Sequence, residues 1–129
     1  MKSPFLKLNT AIADRIELDT GRPVLDATPE NEVFPYIIMG SIDGKDWSDK
    51  STPGQEVTIT VHVWSQYKGK KEVLEIGDGV LQAVTRDPLD LGGGFNAVVD
   101  NFGGHRVIVD IDGFTRHGIL EFEFMIEER

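Results

Sequence analysis

From Val57 to Trp64 polar and apolar residues alternate without a break. Val57, Ile59, Val61 and Val63 fall on one side, and Thr58, Thr60, His62 and Trp64 on the other. Successive side chains of an extended strand point to opposite faces, so this stretch is β structure with one apolar face. The pattern returns near the end, where Leu120, Phe122, Phe124 and Ile126 alternate with Glu121, Glu123 and Glu127. That outward row of carboxylates would also discourage pairing if this strand lay at a sheet edge. Strands apolar on one face need a covering layer, and residues 69–86 supply it. There Val73, Ile76, Val80 and Val84 form one helical stripe, widened by Leu74 and Leu81, and Pro88 stops the helix. Gly77 and Gly79 each cost about 1 kcal/mol against Ala inside a helix. They imply close approach of helix to sheet, or a weak helix middle.

The remaining segments fill in around this frame. Residues 4–14 read as a short helix with Ser3 as N-cap, Pro4 at the first helical position, and Phe5, Leu8 and Ile12 at helical spacing, Ile16 at its margin. Residues 18–21 then turn the chain, and residues 22–26 form a brief edge strand. Pro35 opens the run Tyr36, Ile37, Ile38, Met39, too densely apolar to alternate, which implies burial on both faces. Residues 40–55 form a long connection with turn signals at Asp43-Gly44 and Pro53-Gly54, part of it continuing the strands as a ribbon. After the Gly92-Gly93-Gly94 loop, residues 95–101 and 106–110 read as strand interrupted at Gly103-Gly104, and Asp112-Gly113 as a two-residue hairpin turn. The fold class expected is α+β: a mainly antiparallel sheet of four to five strands, one long helix (about 69–86) packed on it, and a short N-terminal helix.

A chain of 129 residues is expected to form one domain, residues 1–129. It has no cysteine, which excludes disulfides and thiol chemistry. No apolar run approaches the roughly 18 residues that suggest a membrane span, and the first residues lack the pattern of a signal peptide, so the cytoplasm is the default compartment. A formal charge of −9 argues against wrapping nucleic acid. Chemistry is sparse. His62, His105 and His117, with Asp110 and Asp112, are the residues a metal-assisted hydrolase would use, but none has ligand spacing. Gly77-Asp78-Gly79 lies inside a helix and is not a phosphate loop. No catalytic residue, metal or cofactor is expected. Trp47, in the middle of a polar loop and flanked by Asp46 and Asp49, either anchors into a partner or folds back onto its own sheet.

A family resemblance rests on the order of short motifs. It takes in Asp26 and Pro29, then Pro35, Tyr36, Ile37 and Gly40. It continues through Val61, Val63, Trp64, Ser65, Gly69 and Glu72 and ends with Ile111, Asp112, Gly113, Leu120, Phe122 and Phe124. From about residue 22 onward the chain resembles the tail terminator, or tail completion, proteins of tailed phages and prophages. The resemblance implies a structural protein, not an enzyme, that forms a ring, typically a hexamer. Such a ring caps the tail tube and docks it onto the head, with the major tail tube protein and head–tail connector proteins as partners. It implies a place in the virion tail or neck, reached from the host cytoplasm, with no membrane and no sequence-specific nucleic acid partner, although DNA would pass through the ring. A neighbouring role as head–tail adaptor is the alternative. The family's opening helix is usually longer than the one read here. For contacts between copies or with partners the candidates are Trp47, Asp46 and Asp49 in one loop and Phe95, Asn101 and Phe102 in the other.

Overall fold

The computed structural model describes residues 1–31 and 33–129, without the side chains of Val99 and Asp100. In chain order the elements are α1 (Phe5–Thr20), β1 (Val24–Leu25), β2 (Tyr36–Asp46), β3 (Gly54–Ser65), α2 (Lys71–Thr85), β4 (Phe95–Val109) and β5 (Arg116–Glu128). The strands form one sheet in the order β1-β2-β3-β5-β4. Only the β1–β2 pairing is parallel; the other three are antiparallel. This is the α+β class expected, with both helices on one face of the sheet and, among the described residues, no element on the other.

The two alternating strands sit side by side at the centre. Their register sets Val57 against Phe124, Ile59 against Phe122 and Val61 against Leu120. All six are at most 1% exposed. Leu8, Ile12 and Ile16 of α1, with Val73, Val80 and Ala83 of α2, close over them. Because β5 lies between β3 and β4, its outward glutamates do not guard an edge, contrary to expectation. The long edge strand is β4.

The first helix is longer than its sequence suggests. Ile16 continues the four-residue spacing of Leu8 and Ile12, and all three are fully buried. The segment read as a turn is therefore the last helical turn. It ends at Gly21, whose φ of 70° lets its N–H reach the Glu17 carbonyl at 3.0 Å. At 16 residues α1 slightly exceeds the 15 of α2. At the other end Pro4 stands just before the first helical residue, and Ser3 Oγ accepts the Phe5 N–H at 3.3 Å.

In α2 the buried stripe is Val73, Ile76, Val80 and Val84, whereas Leu74 is 46% exposed and does not widen it. The two glycines mark close approaches. A Cβ on Gly79 would lie 3.2 Å from Thr20 of α1, and one on Gly77 would lie 2.9 Å from the His105 ring on β4.

The long connection is mostly strand. β2 and β3 stay paired out to Asp46 and Gln55, leaving only residues 47–53 as loop. A bulge between Met39 and Ile42 interrupts the ladder at Gly40, where a Cβ would fall 2.3 Å from Thr60 Oγ1 and 2.4 Å from His62 Nε2. Only glycine fits there without displacing both side chains. Gly103-Gly104 likewise does not break β4. It forms one of two bulges in a continuous 15-residue strand, the pairing slipping between Phe102 and Gly104. The β4–β5 connection is wider than a two-residue hairpin: Asp110 N–H donates to the Thr115 carbonyl at 2.8 Å, leaving residues 111–114 as the tip.

The extended α1 makes a sharp prediction. Ile16→Ala should cost about 2–5 kcal/mol, as for other buried aliphatic side chains. Leu18→Ala, at a position 77% exposed, should stay within about 0.5 kcal/mol. Urea unfolding followed by circular dichroism measures both, and equal effects would contradict the helix boundary.

Candidate assembly surfaces

The uncovered face of the sheet carries the second residue set of β3 together with its neighbours on β2 and β5. At its centre His62 Nδ1 and His117 Nε2 share a hydrogen bond of 2.7 Å, one ring donating and the other accepting. His117 also stacks on Trp64, centroids 3.7 Å apart and planes 11° from parallel. Thr60 Oγ1 lies 3.4 Å from His62 Nε2 and 3.3 Å from Ser41 Oγ, so a polar row crosses this face. The register explains the cluster, since Trp64 pairs with His117 and His62 with Ile119 on the next strand. Both imidazoles titrate below the ordinary value. Burial is the cause at His62. At His117 burial leads, the charge of His62 follows, Asp110 pulls upward, Arg106 pushes down, and the result is about 4.

His105 takes no part in this cluster. It pairs with Leu120, on the helix-covered side, and its ring lies over Gly77. The three histidines therefore do not converge, and among the described residues no group of three His, Cys, Asp or Glu is placed to hold a metal ion.

The loop at the far end of the β2–β3 ribbon is well ordered by its own hydrogen bonds. Trp47 N–H donates to the Gly54 carbonyl at 2.9 Å, and Ser48 Oγ accepts the Gly54 N–H at 3.0 Å. Asp49 Oδ1 accepts from the Ser51 and Thr52 N–H groups at 2.9 and 2.7 Å. The Ser48 side chain and backbone hold the Asp46 carboxyl below the usual range, and the Ser51 and Thr52 amides do the same for Asp49. Trp47 lies over Gly54, where a Cβ would come 3.0 Å from its ring, yet 40% of it stays exposed. Of the contact candidates in the second stretch, Asn101 is exposed, and Phe102 is 46% exposed with its ring tilted against Phe122. Phe95 is only 7% exposed and belongs to the core, which leaves a partner little surface.

The residues passed over in the sequence lie along β4 and at its tip. Val98, Ile108 and Val109 are 45%, 42% and 47% exposed, and Ile111 and Phe114 on the hairpin tip are 103% and 54% exposed. A long, apolar strand with an open edge is a template for pairing with another chain. Its signal was available: Val107, Ile108 and Val109 are apolar on both faces, while the chain holds only enough helix to cover one.

Comparison with known proteins decides what these surfaces belong to. The family model described as "Tail completion protein gp17" matches residues 10–127. The chain belongs to the tail completion protein gp17 family. It is 32% identical over 103 residues to tail completion protein gp17 of Bacillus phage SPP1, covering 80% of this chain and 75% of that one. The solved structure of SPP1 gp17 is similar with a TM-score of 0.58 at 29% identity, over 91% of this chain and 86% of that one. A chain in the virion of a native gene transfer agent particle shares the fold with a TM-score of 0.80 at 22% identity, over 93% and 94% of the two chains. As a family member the protein has a role in tail completion and a place in the virion tail or neck. No helix among the described residues is long and apolar enough to cross a membrane.

The histidine pair should contribute to the acid sensitivity of this tail completion fold. The unfolded chain protonates its imidazoles near 6.5, whereas folded His117 waits until about 4. Between those values the unfolded state holds the extra proton, so stability present above 6.5 is lost as pH falls toward 4. His117→Gln should flatten that loss. The readout is the slope of the urea midpoint between pH 7 and pH 5, and an unchanged slope would contradict the assignment. The contributions of Asp46, Asp49 and Asp112, all held low by hydrogen bonds, fall away only below their ordinary 3.8.

Proposed function

We propose that this tail completion protein closes into a ring of six copies that caps the end of the tail tube and joins it to the head. On this reading it works by presenting shaped surfaces, performs no bond-making chemistry, and needs no cofactor. Its partners are further copies of itself, the major tail tube protein on one side and head–tail connector proteins on the other. It is made in the host cytoplasm and carried into the virion. The family match over residues 10–127 carries the reading.

The architecture supports it. A ring protomer needs two unlike patches, each meeting the other patch on the next copy. One sheet here ends in two unlike edges, a two-residue β1 beside a long free stretch of β2, and the 15-residue β4. Trp47 with Asp46 and Asp49, at the tip of the β2–β3 ribbon, and Asn101 and Phe102 on β4 are the surfaces offered to copies and tube. The exposed β4 edge also suits addition of a partner strand, as a head–tail adaptor would require.

Each copy brings a formal charge of −9. Six such charges repel, and salt shortens the range of that repulsion to about 8 Å at physiological ionic strength. An acidic ring also lets DNA pass without adhering to it. Native mass spectrometry and light scattering should therefore find a six-copy particle whose share rises with salt, and the protein should sediment with purified tail tubes. A monomer at every concentration that ignores tubes would overturn the reading. Larger particles at low salt than at high would overturn its electrostatic part. Binding to connector complexes but not to tubes would favour the adaptor.

A further inference from the structure

The hairpin tip between β4 and β5 presents apolar side chains to solvent on a firmly pinned turn. Ile111 is wholly exposed and Phe114 is 54% exposed. Beneath them Asp112 Oδ1 accepts the Phe114 and Thr115 N–H groups at 2.9 and 2.8 Å, and Asp112 Oδ2 accepts the Thr115 hydroxyl at 2.5 Å. Gly113, with φ 83°, closes the turn onto the Asp110 carbonyl at 2.9 Å. Pre-ordering of this kind lowers the entropy cost of burying the tip elsewhere.

A matching recess lies at the opposite edge of the sheet. Beside β1 and the start of β2 is an apolar cavity of about 230 Å³, walled by Pro23, Leu25, Pro35 and Tyr36 and rimmed by Arg22. An apolar cavity of about 150 Å³ accommodates a benzene-sized group, so this one has room for Ile111 or the Phe114 ring.

Register decides whether the two can meet. Tyr36 pairs with Trp64, Trp64 with His117, and His117 with Ile108, so one row crosses the sheet from the cavity wall to the strand that leads into the tip. The cavity and the tip therefore lie at the same end of the sheet on opposite edges, the tip reaching beyond the row of Ile108. Four strand spacings separate those edges by about 19 Å, which puts the tip beyond reach of its own cavity. A contact between unlike patches at opposite edges is the head-to-tail kind that a closed ring repeats. Arg22 is among the cavity's lining residues, and Asp110, Asp112 and Arg116 surround the tip, Arg116 donating to the Phe114 carbonyl.

We propose that the 111–114 tip of one copy seats in the Pro23, Leu25, Pro35 and Tyr36 cavity of the next, making the repeating contact of the ring. This rests on the ring reading above and names its interface. The chain has no cysteine of its own, so site-directed cross-linking is clean. Protein carrying both Ile111→Cys and Pro23→Cys, treated with a short bismaleimide in solution and on tail tubes, should give a covalent ladder from dimer up to the full ring. Moving the first cysteine to Thr10, on the helix side, should abolish the ladder. Ile111→Asp should raise the concentration for half-assembly by about tenfold or more, without changing the monomer's circular dichroism.

Rings of normal mass with no ladder, or with undiminished assembly of Ile111→Asp, would overturn this contact and leave the ring standing. Cross-linking of Ile111→Cys to itself would indicate a two-fold contact and also overturn it, as would capture of tube protein by the cysteine at position 23. A wild-type chain that stays monomeric in solution and on tubes would overturn the ring reading, and this contact with it.

Discussion

Everything in this molecule depends on the facing of β3 and β5. Four apolar side chains from each strand point to the same side, and their register places three of the pairs directly across from one another. On that side they need a cover, and the amphipathic stripes of α1 and α2 provide it. Burying a Phe or Ile side chain of this kind contributes roughly 1.5–3 kcal/mol. Eight in one patch therefore dominate what holds the chain together. The helices are consequences of that patch. Leu8, Ile12 and Ile16 keep their spacing because each must reach it, and Gly79 is small because α1 and α2 both crowd onto it.

Among the described residues the same arrangement leaves one face of the sheet without a helix and the β4 edge without a neighbouring strand. Two helices of 16 and 15 residues cover a single face of five strands. The other face is kept in water by Thr, Glu and a hydrogen-bonded imidazole pair, with Trp64 and Ile38 sheltered among them. The β4 edge, bent by two bulges, still exposes Val98, Ile108 and Val109. For a solitary protein an exposed apolar edge of this length is a hazard, and for a component of a tail it is a means of joining neighbours. On the proposed reading function is continuous with the fold: surfaces the core leaves uncovered are those assembly would use.

Much of this was legible in the residues. Strict alternation at Val57–Trp64 and Leu120–Glu127 specifies two strands and their buried faces. Other features were hidden because they depend on contacts between distant segments. Leu18 and Gly21 look like a turn until Ile16 is seen to need the core, which draws the helix onward by six residues from Asp14 to Thr20. Gly103 and Gly104 look like a break until β5 is alongside and accepts them as a bulge. The meeting of His62 with His117 depends on the β3–β5 register, which no local pattern encodes. The surfaces were the least legible part. Trp47 stands out because it is aromatic in a polar loop, whereas Ile111 is one more alternating apolar residue until the turn is seen to lift it into solvent.

Electron cryomicroscopy of tails assembled with this protein tests the central claim most directly. The account predicts a closed ring of copies at the tube end that faces the head, sheets side by side, with every β4 edge beside the next copy's β1 and β2. Copies scattered along the tube, or a ring whose subunits meet through the helix layer instead of the sheet edges, would contradict it.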